Sequence, residues 1–289
     1  MKQLHKKHID VTLTTTCLLY LLVCTTNGVA TGTRDHFVLV HGAGHGAWCW
    51  FKLIPLLRSS GQRVTALDMA ASGIDTQEAN NLRSVADYFQ PLADFMATLP
   101  LNEKVILVGH SYGGFGLTYS MELFPEKIAA AVFVTAIMPG PTLNASTVNQ
   151  KALASSGGAL DSTFSYNNGP DNPPTSLLLG PLLLATRFYQ LSPVNDLALA
   201  NLLIRRFPLF TDENLSKVIR PTNGRYGRVK RAYIVSGRDL GMEVSFQEWM
   251  IQRNPPDEVL KVDDSDHMAM FSKPAELSAL LLGIASRYT

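Results

Sequence analysis

The run Val105-Ile-Leu-Val-Gly109-His110-Ser111-Tyr112-Gly113-Gly114 constrains this chain more than any other stretch, because an apolar strand enters a Gly-x-Ser-x-Gly turn and a helical pattern, 114–124, leaves it. A serine at a sharp strand-to-helix turn is held in a strained backbone conformation, and the glycines on either side let neighbouring segments approach it. Its hydroxyl then stands above a sheet edge, where the first N–H groups of the helix favour negative charge. A bare Gly-x-Ser-x-Gly is more often a flexible turn than a nucleophile. The strand and helix flanks reverse that balance and make Ser111 a candidate nucleophile, provided partners exist to activate it.

The rest of the chain repeats the same alternation. Short apolar runs at 36–40, 63–67, 104–108, 129–134, 231–236 and 258–262 read as strands, and helical patterns at 82–99, 114–124 and 274–287 fill the gaps. That is the pattern of an α/β domain, a mostly parallel sheet with helices on both faces. Between about 139 and 228 the rhythm breaks: Pro139, Pro141, Pro170, Pro173 and Pro174 punctuate it, with helical patches near 177–190 and 196–204. An excursion of this length between two strands is too long for a plain loop, so a helical cap inserted over the strand ends is expected.

Where a serine is presented on such a turn, its acid and base follow in the order Ser, Asp or Glu, His, each on a loop after a later strand. Asp239 lies in Gly237-Arg238-Asp239-Leu240-Gly241, just past the 231–236 strand, and His267 lies in Asp263-Asp-Ser-Asp266-His267-Met268, just past the 258–262 strand. His267 would take the Ser111 proton and Asp239 would hold the imidazole tautomer. Asp263, Asp264 and Asp266 are rivals for the acid, but they adjoin the histidine in sequence and are poorly placed to face its far nitrogen. The loop His41-Gly42-Ala43-Gly44-His45-Gly46 follows the first strand and lacks the lysine and hydroxyl residue of a phosphate loop. Its expected role is half of an oxyanion hole, the Ala43 N–H joining that of Tyr112. The stripe Trp48, Trp50, Phe51, Leu53, Ile54, Leu57 reads as core. No His, Cys and carboxylate spacing suggests a metal site, and no cofactor is expected.

With 25 Lys and Arg against 24 Asp and Glu, a formal balance of +1, the chain has no broad field to collect nucleic acid. The partner implied is small and nearly uncharged. Lys2, Lys6 and Lys7 precede an apolar stretch, 11–24, followed by Gly28-Val29-Ala30, which is the shape of a signal peptide, 1–30, cleaved after Ala30. The stretch falls short of the ~20 residues of a spanning helix, so no stable membrane span is expected after cleavage. Removal of Cys17 and Cys24 would leave Cys49 alone and no internal disulfide. The mature domain would be 31–289, in the secretory pathway or outside the cell, with Asn144 and Asn214 as sequon acceptors.

At these residues the chain resembles the plant methylesterase and hydroxynitrile lyase family of α/β-hydrolases. The likeness covers 36–289 and rests on His36-Phe-Val-Leu-Val-His-Gly-Ala, Gly46-Ala-Trp-Cys-Trp, Val64-Thr-Ala-Leu-Asp-Met-Ala-Ala-Ser-Gly73, Lys104-Val-Ile-Leu-Val-Gly-His-Ser111, Tyr189-Gln-Leu-Ser-Pro193, Val229-Lys-Arg-Ala-Tyr-Ile-Val and Asp266-His-Met-Ala-Met270. The resemblance implies a triad at Ser111, Asp239 and His267, a helical cap, no cofactor, and hydrolysis of methyl esters of small hydrophobic acids. Lyase members carry threonine or asparagine after the first-strand histidine, and some have lysine after the catalytic histidine; Gly42 and Met268 stand here and favour the hydrolase. Salicylate-type members have a tryptophan where Ala159 stands, which opens room for a larger acyl group. Gly42, Ala159 and Met268 are thus the pocket candidates. A hydroxynitrile lyase and a slow or non-catalytic hormone-binding protein are the competing classes, a homodimer stays open, and most relatives lack a signal peptide and are cytoplasmic.

Overall fold

The computed structural model describes residues 34–155 and 157–289. The proposed signal segment, with Cys17 and Cys24, lies outside the described residues.

Six strands form the central sheet: β1 (His36–Val40), β2 (Arg63–Leu67), β3 (Val105–Ser111), β4 (Ile128–Ala136), β8 (Lys230–Ser236) and β9 (Glu258–Val262), in the order β2-β1-β3-β4-β8-β9. Every pairing is parallel. The middle strands carry buried apolar runs, 105–108 in β3 and 130–134 in β4, because both faces are covered. Alternate side chains divide between two buried clusters: Val105, Leu107 and Phe133 join one with Phe89, Phe115 and Phe246, while Ile106, Val108 and Val132 join another with Trp50, Leu53 and Leu281. The covering helices include α1 (Leu53–Ser59), α2 (Val85–Tyr88), α3 (Gln90–Thr98), α4 (Gly113–Leu123), α8 (Val244–Arg253) and α9 (Pro274–Tyr288).

Between β4 and β8 the chain leaves the sheet. The insertion holds α5 (Ala145–Ser155), α6 (Val194–Leu203), α7 (Asp212–Val218) and a small antiparallel sheet of β5 (Thr163–Ser165), β6 (Ser176–Leu178) and β7 (Phe207–Pro208). It meets the loops at the carboxyl ends of the main strands. The Arg205 N–H donates to the Gly44 carbonyl at 2.9 Å, the Leu191 N–H donates to Asp266 at 2.9 Å, and Lys52 pairs with Asp196 at 2.5 Å.

Three expectations change. The pattern over 82–99 is not one helix: a capping box at Ser84 and Asp87 starts α2, Phe89 leaves the helical region, and Pro91 in the first turn of α3 restarts it. Proline supplies no N–H for a continuing ladder and is tolerated only at such a start. The patch 177–190 begins as strand rather than helix. Leu177 pairs with Phe164 and Phe207, and only after Gly180 does a turn, Pro181–Leu183, run into a π-helical turn, Leu184–Phe188. The aromatic stripe is only partly core, since Trp50, Leu53 and Leu57 are buried whereas Phe51 is 42% exposed and Trp48 is half-buried against His45.

Candidate active site

The elbow is built by crowding. Ser111 ends β3 with φ at +53°, a left-handed conformation that a serine adopts only when its surroundings impose it. Two residues on, a Cβ at Gly113 would stand 2.8 Å from the carbonyl oxygens of both Val40 and His41, so only glycine lets α4 start this close to β1.

Strand order brings the three expected residues together. Ser111 comes from the end of β3, Asp239 from the loop after β8 and His267 from the loop after β9. His267 Nε2 lies 3.0 Å from Ser111 Oγ, and His267 Nδ1 lies 2.7 Å from Asp239 Oδ2. A carboxylate only accepts, so Nδ1 carries the proton and Nε2 offers its lone pair to the serine hydroxyl. Both His267 and Asp239 are buried, whereas Ser111 stays partly accessible.

Asp239 is held by four hydrogen bonds. Oδ1 accepts the N–H groups of Gly241 and Met242, each at 2.7 Å, and Oδ2 accepts from Thr135 Oγ1 at 2.5 Å in addition to His267. Thr135 reaches it through an irregularity of β4. His110 pairs with Val134 but Ser111 pairs with Ala136, which leaves Thr135 as an extra residue at φ +37°. A bulge of this kind re-aims a side chain, here onto the acid. The rival Asp266 turns elsewhere: Oδ2 accepts from the Leu191 N–H and from Ser192 Oγ, and Oδ1 accepts the Met268 N–H.

The glycine loop after β1 faces the serine. At Gly42 an added Cβ would lie 2.9 Å from Ser111 Cβ and 3.0 Å from His110 Nδ1, so any side chain there would press on the nucleophile itself. The carbonyl of Gly42 accepts from His41 Nδ1 at 2.8 Å, while His41 Nε2 accepts the Met69 N–H at 3.1 Å. That fixes the peptide plane whose other end is the Ala43 N–H. Among the described residues no protein acceptor takes the N–H of Ala43 or of Tyr112. His110 Nε2 donates to the His267 carbonyl at 2.8 Å, tying the two loops together. Burial lowers the pKa values of His41 and His110 and pushes that of His45 down to about 3. All three are neutral around the serine.

The other pocket candidates fall differently. Met268 is wholly buried in the apolar cluster that includes Trp50 and Leu183, where it packs as core. Ala159 is half-buried on the turn before Asp161, whose carboxylate accepts the N–H groups of Leu182 and Leu183. The Tyr112 ring packs into an aromatic cluster, 4.6 Å from Phe207 and 5.0 Å from Phe115. Sequence reasoning missed Thr135, the bond from His41 to the Gly42 carbonyl and the contact between His45 and Tyr189. The only signal for the last was the motif Tyr189–Pro193 itself. No group of three or more His, Cys, Asp or Glu side chains among the described residues is arranged for a metal ion.

Comparison with known proteins bears on the fold and the family. The chain matches the model of the alpha/beta hydrolase family over residues 37–280. It is 50% identical over 255 residues to methyl jasmonate esterase 1 of Vitis vinifera, covering 88% of this chain and 98% of that one. It is 47% identical over 257 residues to salicylic acid-binding protein 2 of Nicotiana tabacum, again covering 88% and 98%. Among solved structures it is similar to tomato methylketone synthase I complexed with 2-tridecanone (TM-score 0.87, 50% identity, 89% of this chain and 100% of that one). It is also similar to polyneuridine aldehyde esterase (TM-score 0.83, 42% identity, 88% and 100%). A family model that matches over most of the chain and relatives matched over nearly their whole length place the chain in the alpha/beta hydrolase family, among the plant methylesterases and their kin.

Proposed function

We propose that the protein hydrolyses methyl esters of small hydrophobic carboxylic acids, with Ser111 as nucleophile, His267 as general base and acid, and Asp239 as its orienting carboxylate. The carrying observation is the unbroken chain from Ser111 Oγ through both nitrogens of His267 to Asp239 Oδ2. Ser111 attacks the ester carbonyl as His267 Nε2 takes its proton, and the same proton passes to the leaving methoxide, which departs as methanol. Water then repeats the cycle on the acyl-serine and releases the acid. The negative oxygen formed in each half would be met by the free N–H groups of Ala43 and Tyr112. Gly42 supports hydrolysis, because a bare backbone beside Ser111 leaves the approach of a planar ester open.

Relatives named as a methyl jasmonate esterase, methylesterases and an aldehyde esterase support the methyl ester as the reacting group. The insertion, acting as a cap over the strand ends, would select the acyl group, with Ala159 lending it room. Entry into the secretory pathway through a leader cleaved after Ala30 is part of the same reading, tested by sequencing the mature N-terminus. A panel of methyl jasmonate, methyl salicylate and methyl indole-acetate, read by methanol release, tests the activity. Ser111→Ala is expected to lower kcat by ~10⁴-fold or more on whichever ester is taken. Methanol release at the parent rate from that variant would remove Ser111 as the nucleophile.

A further inference from the structure

Tyr189 opens the motif Tyr189-Gln-Leu-Ser-Pro193, which takes no part in the triad. Its neighbours explain its placement. It follows the π-helical turn Leu184–Phe188, where the Tyr189 N–H reaches back to the Leu184 carbonyl at 2.8 Å, and such turns break a helix so as to aim one residue. The Tyr189 ring packs against Phe271 with 5.5 Å between centroids, and its hydroxyl meets His45 Nε2 at 2.7 Å, across 144 positions of chain. His45 Nδ1 in turn meets the Ala43 carbonyl at 2.9 Å. Tyr189, His45 and their two contacts are buried or nearly so.

The direction of each bond follows from chemistry. A carbonyl only accepts, so His45 Nδ1 holds the proton. The imidazole is neutral, so Nε2 holds a lone pair and accepts the Tyr189 O–H. Burial keeps Tyr189 a phenol by raising its pKa, and keeps His45 neutral. Tyr189 thereby selects the one tautomer of His45 that can donate to Ala43. The peptide plane before the Ala43 Cα is pinned by His41 through the Gly42 carbonyl, and the plane after it is pinned by His45 through the Ala43 carbonyl. With both planes held, the direction of the Ala43 N–H is held as well.

We propose that Tyr189 and His45 are positioning residues of the oxyanion hole, through which the insertion sets the direction of the Ala43 N–H. The proposal rests on the reading of Ala43 as an oxyanion donor to the Ser111 adduct. The same short segment also grips the other two loops. Gln190 Nε2 donates to the Arg238 carbonyl beside Asp239, and the Leu191 N–H and Ser192 Oγ both donate to Asp266 beside His267. One strap of the insertion is thus bonded to the loops that carry Ala43, Asp239 and His267.

The test compares Tyr189→Phe, which keeps the ring, with His45→Ala, His45→Asn and the double variant Tyr189→Phe/His45→Ala. Each is measured on a hydrolysed methyl ester, on a trifluoromethyl ketone of the same acyl shape, which forms a tetrahedral oxyanion with the serine, and on the matching methyl ketone, which does not. In Tyr189→Phe, kcat is expected to fall about tenfold, with KM within about twofold. Affinity for the trifluoromethyl ketone should fall by a similar factor and that for the methyl ketone should hold. His45→Ala should lose at least as much, and adding Tyr189→Phe to it should cost nothing more, since the tyrosine acts through the histidine. In His45→Asn the amide can donate to Ala43 from the place of Nδ1 without help from Tyr189, so most of the rate should return. Unchanged kcat and inhibitor affinity in both Tyr189→Phe and His45→Ala, or fully additive losses in the double variant, would overturn the proposal. If Tyr189→Phe does not accumulate as folded protein, His45→Asn against His45→Ala decides, and equal rates in those two sink the proposal. Ester hydrolysis that survives in Ser111→Ala would instead remove the underlying reading of the site.

Discussion

Thr135 shows how much of this candidate site is carried by a residue outside the chain from Ser111 through His267 to Asp239. Its hydroxyl shares Asp239 Oδ2 with His267 Nδ1, so it limits the positions from which the carboxylate can hold the imidazole. Thr135→Val keeps the shape and the backbone while removing the donor. It is expected to lower kcat about tenfold, ~1.4 kcal/mol of barrier, with KM unchanged; steady-state kinetics on a methyl ester checks this, and an unaltered kcat would deny Thr135 that part. That Ser111, Asp239 and His267 lie together was legible in the sequence because each falls at or just past the end of a strand, in an order the turn motif anticipates. Thr135 was not, because its reach depends on a register slip between β3 and β4 that no local pattern records. His41 and His45 were noticed as histidines near the serine, but their partners are a neighbouring carbonyl and a tyrosine in the insertion.

Among the elements, apolar strands flanked by turn residues were the most readable, and β1, β2 and β9 fall where their patterns predicted. Helical periodicity misled where it ran through Pro91, since apolar spacing survives a break in the backbone ladder. The break has its own support. Ser84 caps α2, the Asp87 carboxylate answers the Ser84 N–H at 2.9 Å, and Asn214 Oδ1 accepts the Val85 N–H from α7 at 2.9 Å. Ser84→Ala should cost about 1 kcal/mol of stability, seen as a lower urea midpoint, with kcat untouched. Equal midpoints would mean that α2 is held by its packing alone. In the insertion, β6 and the turn at 184–188 were read as one helical patch because Leu177–Leu179 and Leu182–Leu184 are equally apolar; pairing with β5 and β7 decides between them.

At the scale of the whole molecule, neutral buried histidines make stability depend on pH. His41, His45 and His110 each have a folded pKa below the ~6.5 of an unfolded chain, chiefly through desolvation. Below that value the unfolded state binds protons that the folded state refuses, so their contribution is intact above about pH 6.5 and is lost as pH falls, for His45 down to about 3. Each can steepen the loss by up to ~1.4 kcal/mol per pH unit. Urea unfolding at pH 7.5 and pH 5 should show a clear fall, smaller in His45→Asn; a flat profile would mean that the three are not held neutral. The parallel sheet and the long insertion were readable from the alternation of runs and its interruption, whereas the contacts from the insertion to the loops were not, since they join residues far apart in the chain. The order of the triad along the chain also has a meaning in time. Ser111 sits in the block 36–136 that forms β1 to β4, while Asp239 and His267 come only after the insertion, on the loops that follow β8 and β9. Synthesis runs from the N-terminus, at about 5–20 residues per second. A nascent chain therefore emerges with Ser111 long before Asp239 and His267, and a product that terminates short of β9 lacks His267 altogether.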